Sequence, residues 1–424
     1  MTKRKADTHA REEKPTLQST ASHVPTRAEF EGLAPDVRIA LIQELVPLAL
    51  MAAREEMERE VEELAGTRYG RKNGDGGVYR FGFNPGSVKL GSKRYPIRVP
   101  RIRTADGEIS LKSYELLHNG AGVSRDAVNR MLRGVSCRSA VEPAEGETPP
   151  WPAPSAGSRA TLSREFIAAS TQELQRFRRR DLSTLDLVAV FMDGKYFGDQ
   201  MMILAMGITL EGKKVFLGFE EAGTENARVV AQFLRSLQER GLQTAKGVLA
   251  IVDGSKGLVS AIKTVFKREA VVQRCQWHKR ENVVAYMSKG DQARLRKRLQ
   301  AAYERPTYKE ATEALQKIQD ELKGSNQSAY ASLQEGIEET LTLHRLGVFS
   351  QVGRSFKTTN CIESAHSMVE DLCSKVDFWT NSMQRQRWLA AAALNIEPRL
   401  RRVQGHKSLP TLRQALMKEL NLGR

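Results

Sequence analysis

One run of twelve residues limits what this chain can fold into. Residues 247–258 read Gly-Val-Leu-Ala-Ile-Val-Asp-Gly-Ser-Lys-Gly-Leu. Val248–Val252 is apolar and largely β-branched, and turn residues bound it, so it predicts a buried strand. Asp253 stands at that strand's carboxyl end. Leu258, Ile262, Val265 and Phe266 then recur at helical spacing. A buried strand that turns directly into a helix belongs to an α/β sheet, and such sheets carry their chemistry at the carboxyl edge.

The neighbouring segments extend this unit. Leu187–Met192 is a second apolar strand that runs into Asp193-Gly194. Met201–Thr209 and Val215–Phe219 predict two strands joined by a hairpin turn at Glu211-Gly212. Asn226–Gly241 has the apolar spacing of an amphipathic helix (Val229, Phe233, Leu234, Leu237), and Ala270–Gln273 predicts a further strand. Three antiparallel strands followed by helix, strand, helix, strand is the order of a ribonuclease-H-like domain. Residues 279–350 interrupt it with charged, helical sequence that reads as an all-helical insertion. Trp379–Leu394 predicts a late helix.

The amino-terminal part differs in texture. Residues 1–30 lack periodicity and predict a flexible basic arm. Asp36–Leu64 predicts helix, with a kink or restart at Pro47 and a C-cap at Gly66. Residues 66–110 alternate glycines (70, 74, 76, 77, 82, 86, 91) with strand-like pieces at Val78–Phe83 and Tyr95–Val99. They carry Arg71, Lys72, Arg80, Lys89, Lys93, Arg94, Arg98, Arg101 and Arg103 with little acidic balance before Asp106. A small basic β module suits contact with phosphates. Gly122-Val-Ser124 ahead of Asp126, Val128, Met131 and Leu132 fits the turn of a helix-turn-helix. Residues 142–158 hold five prolines and three glutamates and predict a linker. The expected architecture is multidomain α+β. Residues 31–141 form a helical and β DNA-binding region and 142–160 a Pro-rich linker. Residues 161–278 form the first part of an α/β core, 279–350 the insertion, and 351–424 the end of the core.

A formal net charge of +16 and a pI near 9.7 favour a polyanionic partner, of which nucleic acid is the commonest. No apolar run approaches the roughly 18 residues of a membrane span. Four cysteines (137, 275, 361, 373) are too scattered for a disulfide framework and suggest a reducing cytosol.

Two aspartates ending two strands of one sheet are the start of a divalent-cation site. Glu363, in Thr358-Thr-Asn-Cys-Ile-Glu-Ser364, is a candidate third carboxylate from a late helix. Cys275-x-x-His278 supplies only half of a structural zinc site, so a supporting role at the strand end is expected. Trp277 reads either as a core residue or as a stacking surface for DNA. Lys256, Arg274, Lys279 and Arg280 crowd the same edge, where a phosphate backbone would lie. Arg94, Arg98 and Arg101 are the corresponding candidates in the basic β module.

These words together resemble the mutator-type DDE transposases of bacterial insertion sequences. The matching stretches are Phe191-Met-Asp-Gly194, Val252-Asp-Gly-Ser-Lys-Gly-Leu258, Gln273-Arg-Cys-Gln-Trp-His-Lys279 and Thr358–Ser364. They lie within residues 185–400. The resemblance implies a ribonuclease-H-like core with a helical insertion before the last acid. It also implies a catalytic triad on Asp193, Asp253 and Glu363, with two Mg²⁺ ions or Mn²⁺ in their place. The family's Cys/Asp-x-x-His motif falls on Cys275 and His278. Double-stranded DNA at terminal inverted repeats and at a target site is the implied partner, with a homodimer or larger assembly on DNA and a cytoplasmic, nucleoid-associated location. One departure is the acidic Met368-Val-Glu-Asp-Leu372, where many relatives carry a basic run. Three other readings remain: a transposase reduced to DNA binding, a structure-selective nuclease on the same fold, and a recombinase using Tyr196 or Ser255 as nucleophile.

Overall fold

A computed structural model of the 424-residue chain describes residues 26–68, 77–90, 93–119, 125–134, 159–223 and 226–422. Most of the basic arm, glycines 70, 74, 76 and 91, the Gly122-Val-Ser124 turn and the Pro-rich linker lie outside the described residues. The chain divides into two compact units, one built from residues before 170 and the other from Ser170 onward, with Leu132–Gly134 assigned to the second.

The first unit starts with α1 (Arg27–Glu31), where Thr26 and Glu29 form a reciprocal capping box. The end of the expected arm is therefore helical. The predicted restart at Pro47 occurs: α2 (Pro35–Glu44) and α3 (Val46–Ala65) are separated by Leu45 at φ 60°. Gly66 caps α3 at φ 79°.

Strands β1 (Tyr79–Leu90), β2 (Lys93–Thr104) and β3 (Gly107–Ile109) form an antiparallel sheet in that order. Both long strands outrun the short pieces expected from the glycines. A register shift between Arg80 and Phe83, with Gly82 at φ 80°, absorbs the irregularity. Pro85 is tolerated because β1 is an edge strand. Gly86 is required by close approach, since a β-carbon there would meet Val99 and Tyr114 at 2.5 and 2.7 Å. Leu50, Met57 and Val61 of α3 pack on Val88, Ile97 and Ile102. Then come α4 (Lys112–Asn119) and α5 (Arg125–Leu132), and α6 (Arg159–Arg178) carries the chain into the second unit.

The second unit is built on a five-stranded sheet. Its strands are β4 (Leu187–Phe197), β5 (Gln200–Thr209), β6 (Lys214–Ala222), β7 (Val248–Val252) and β8 (Ala270–Arg274), in spatial order β6-β5-β4-β7-β8. Gly212, at φ 83°, makes the predicted hairpin turn. β4, β7 and β8 are parallel neighbours, and the crossovers use α7 (Ala227–Glu239) and α8 (Lys256–Phe266). Val190 and Met192 of β4, with Val248, Ala250 and Val252 of β7, face Phe233, Leu234, Leu237, Leu258 and Ile262 of those helices.

The chain then turns helical: α9 (Gln276–Val284), α10 (Lys289–Tyr303), α11 (Tyr308–Ser325), α12 (Gln327–Gln334), α13 (Ile337–Thr340), α14 (Thr342–Arg345) and α15 (Phe349–Phe356). The predicted helical stretch is all-helical and has its own core of Leu295, Leu299, Tyr303, Leu315, Ile318 and Leu333. It is tied to the sheet by Gln273, fully buried, which donates to Thr340 O at 2.9 Å and accepts from Leu343 N at 3.0 Å. α16 (Asn360–Cys373), α17 (Ser382–Ile396) and α18 (Leu409–Glu419) complete the unit. Trp379 precedes α17 rather than starting it. Arg413 of α18 donates to Leu187 O, Gly247 O and Asp186, which fastens the last helix to the sheet. Among the described residues, no helix is long and apolar enough to cross a membrane.

Candidate active site

Register sets Asp193 and Asp253 at the same end of two neighbouring strands. β4 and β7 pair in parallel with Ala189 opposite Leu249 and Phe191 opposite Ile251. The ladder stops there, and Asp193 and Asp253 each stand two residues beyond its last pair. Side chains alternate between sheet faces. Val190, Met192, Val248, Ala250 and Val252 point to α7 and α8, so Asp193 shares the opposite face with Ala189 and Phe191. Phe191 stacks on Phe356 of α15, and α16 covers β4 on that face.

Asp193 does not end its strand, as the sequence suggested. β4 continues to Phe197 because its other edge stays paired with β5, where Asp193 lies opposite Leu204. Only its parallel ladder with β7 stops at Phe191. Asp253 does follow the last residue of β7. Its Oδ1 accepts from Ser255 N at 2.8 Å, which closes the turn into α8.

Glu363 lies in the first turn of α16. Its Oε1 accepts from the Thr359 hydroxyl and lies 4.0 Å from His278 Nε2. Cys275 is buried at the start of α9. Its sulfur accepts from Thr359 N at 3.4 Å and from His278 N at 3.5 Å, and Thr359 Oγ1, whose one proton goes to Glu363, lies 3.4 Å from it. Thr359 Oγ1 is also 3.2 Å from His278 Nδ1. So the Cys275-x-x-His278 motif joins β8, α9 and α16, and holds His278 between the sheet edge and Glu363.

The charges of this cluster are coupled. His278 is pushed up to about 9, first by its contact with the Cys275 sulfur and then by the negative charge of Cys275, Glu363 and Asp253, against the lowering effect of burial. Burial alone would raise the Cys275 thiol, but hydrogen bonds from His278 and Thr359 more than offset it and hold it below its ordinary value. A raised histidine pKa contributes stability that is complete below about pH 6.5 and is lost as pH rises through about 9. In metal-free buffer the His278 ring resonances are therefore expected to titrate near pH 9 by NMR, and Cys275→Ser should move that midpoint down. A wild-type midpoint near 6.5 would remove the coupling.

His366 escaped the sequence reading. It lies three residues after Glu363 on the same helix face, and that spacing was the available signal. It is 2% exposed, with Nδ1 3.3 Å from Asp193 Oδ2. The approach is out of line for a hydrogen bond, and both ring nitrogens lack a partner. An unsatisfied buried imidazole beside a carboxylate calls for a further group in the site.

Among the described residues, no three His, Cys, Asp or Glu side chains converge as a metal-holding group. The hydrogen bonds explain this: Glu363 is turned to Thr359, and Asp253 to Ser255. The donors present still suit a hard cation, being carboxylate oxygens from Asp193 and Asp253 at the same end of neighbouring strands, with Glu363 on the covering helix.

The basic candidates divide. Lys256 projects into solvent, 91% exposed. Arg274 (6% exposed) and Lys279 (0%) are buried at the edge where a phosphate backbone was expected. Each is held from above by the end of α12, a contact between residues 61 and 53 positions apart that local pattern could not reveal. Arg280 is mostly covered by Glu281 and Gln300. Trp277 is 45% exposed and meets His278 edge to face. In the first unit, Arg98 is exposed and stacks on Phe83. Arg101 is bidentate to Glu108, and Arg94 contacts Ser87 and His118. The acidic turn after Glu363 has a partner, since Glu370 pairs with Lys195 at 3.1 Å.

Comparison with known proteins places the chain. The sequence model of a family described as "Transposase, Mutator family" matches residues 39–398. The chain is 29% identical over 240 residues to the transposase for insertion sequence element IS905 of Lactococcus lactis, covering 55% of this chain and 59% of that protein. It is 26% identical over 318 residues to the transposase for IS256 in transposon Tn4001 of Staphylococcus aureus, covering 71% and 76%. It is 26% identical over 351 residues to the transposase for ISRM5 of Rhizobium meliloti, covering 80% and 84%. The match thus spans less than two thirds of the Lactococcus relative.

Proposed function

The chain belongs to the Mutator family of transposases, and from that premise we propose that it is a metal-dependent DNA transposase acting at the ends of an insertion sequence. The observation that carries the reading is the placement of Asp193 and Asp253 at the same end of the neighbouring parallel strands β4 and β7, with the helix that bears Glu363 packed on β4. The strand order β6-β5-β4-β7-β8, three antiparallel strands continued by two parallel ones, supports a ribonuclease-H-like core with residues 279–350 inserted before the last acid. Residues 31–141 would then bind the terminal inverted repeats through their basic face, with Arg98 the best exposed candidate there.

Asp193, Asp253 and Glu363 would hold Mg²⁺, or Mn²⁺ in its place. Such ions, when bound, lower the pKa of water and stabilise the leaving oxygen of a phosphodiester. The protein's own groups prepare that chemistry. The Ser255 amide fixes the Asp253 carboxylate, and the Thr359 hydroxyl fixes Glu363. His278 holds a proton beside Glu363 at neutral pH. Lys256 stands exposed one turn from Asp253, where a DNA backbone passes. Hydrolysis at each element end frees a 3′-OH. That hydroxyl then attacks a target phosphodiester, forming one P–O bond as another breaks and releasing a target 3′-OH. Neither step needs a covalent protein–DNA bond. Pairing two ends would require at least a dimer, and the reaction belongs in the cytoplasm with the nucleoid.

The test is purified protein with supercoiled plasmid carrying the element ends, in Mg²⁺ or Mn²⁺. Nicks confined to the element termini, ending in 3′-OH and followed by joined products, are expected. Binding of the ends without nicks in either metal would instead favour a protein that only occupies its sites. Cuts that ignore the ends and never join would favour a nuclease.

A further inference from the structure

A cleft of about 530 Å³ runs along one side of α8, from Gly254 and Lys256 to Thr264, against the break between α12 and α13. Its wall is Arg274, whose side chain is 7% exposed and pressed between two glycines. A β-carbon on Gly254 would lie 1.8 Å from Arg274 Nε, and one on Gly336 2.5 Å from Arg274 Nη1. Both glycines have positive φ, +104° and +66°. The chain is therefore shaped at two distant points to admit this cation. Arg274 Nε has no hydrogen-bond partner. Lys256, Ser260 and Lys263 of α8 line the opposite side of the cleft.

One carboxylate serves three cations here. Glu335 lies 3.5 Å from Arg274, 3.5 Å from Lys279 and 3.8 Å from Lys256, all longer than a good charge-assisted bond. Lys263, the third cation lining the cleft, is matched separately by Glu339 at 2.7 Å. The Glu335 backbone is anchored: its N–H donates to Ala331 O, and its carbonyl accepts from Arg274 Nη1. Its carboxylate is 45% exposed and needs only a side-chain rotation to leave.

We propose that this cleft is a pocket for a phosphate group, that the Glu335 carboxylate occupies it as an internal substitute, and that an incoming phosphate displaces Glu335. The pocket adjoins Asp253 through Gly254, so a phosphate of a DNA strand entering the site and a free phosphate are both chemically suitable. The proposal does not rest on end cleavage.

Isothermal titration of the full chain with inorganic phosphate, in metal-free buffer at constant ionic strength, tests it. Lys256→Ser is expected to weaken phosphate about tenfold and Glu335→Gln to tighten it about tenfold, each the worth of one charge-assisted contact. Phosphate binding no tighter in folded Glu335→Gln than in the wild type overturns the proposal. Should that variant fail to fold, Lys256→Glu at its exposed position decides, and undiminished phosphate binding there also overturns it. A short oligonucleotide of arbitrary sequence, added as competitor, separates the sources: displacement of phosphate assigns the pocket to a nucleic-acid backbone, and no displacement assigns it to the free ion. No element ends or divalent metal are present, so failure here leaves the cleavage reading intact, and failure of cleavage leaves this one standing.

Discussion

Asp253→Asn is expected to lower end cleavage by about 10³-fold or more while binding of the element ends persists. The magnitude follows from losing a metal-holding carboxylate, roughly 4 kcal/mol of transition-state stabilisation. Asparagine is the informative replacement because Asp253 has two roles. Its Oδ1 accepts from Ser255 N at 2.8 Å and closes the turn into α8. An asparagine carbonyl keeps that bond and the side-chain shape but loses the charge. Alanine would lose the turn contact as well and mix stability with chemistry. Supercoiled plasmid carrying the ends, assayed for terminal nicks in Mg²⁺, gives the rate, and gel shift on the same ends gives the binding. Wild-type cleavage by a folded Asp253→Asn would remove the carboxylate assignment. Asp193→Asn should behave alike, since it stands at the same end of the neighbouring strand. It also borders His366, so its structural effect should be checked by thermal unfolding.

Much of this arrangement was legible in the sequence because it is local. Period-2 and period-3.6 patterns located β7, α8, the Gly212 hairpin and α7. Proline and glycine marked the break before α3 and its cap at Gly66. The errors arose where a residue answers to a distant partner. Asp193-Gly194 looks like a strand end, yet pairing with β5 carries the strand four residues past the aspartate. The glycines of the basic module suggested short strands, yet a bulge and an edge position let β1 run twelve residues. Arg101 reads as a phosphate contact in sequence, yet Glu108 on the neighbouring strand binds it bidentately. Arg274 and Lys279 read as surface cations because nothing in their own segment predicts the end of α12 above them. Among the proposed site residues, the aspartates could be paired from strand order alone. His366 and Thr359 needed α16 to be placed on the sheet.

Lys279 supplies the second large effect, on stability. Burial and the neighbouring Arg274 push its pKa down to about 8 from 10.5, and Glu335 only partly restores it. A lowered lysine pKa means that the folded state disfavours the proton. Below pH 8 the fold carries that penalty, and above about 10.5 neither state binds the proton. Between these limits the unfolded chain binds more protons, so stability must rise with pH, by up to about 3 kcal/mol from this group. Lys279→Met keeps the length of the side chain and removes the titration. The ammonium donates to Ser332 O at 2.5 Å, one of the last carbonyls of α12, so methionine also leaves that acceptor without its cation. Near neutral pH the two losses oppose each other, and the variant should lie within about 1 kcal/mol of the wild type, as for other buried ions exchanged for apolar groups. By pH 10 the wild type should be the more stable of the two by a margin that grows with pH. Urea unfolding of both proteins across pH 7–10.5 measures the difference and cancels titrations they share. Parallel curves would show that Lys279 is not held in the buried, strained charge state described here.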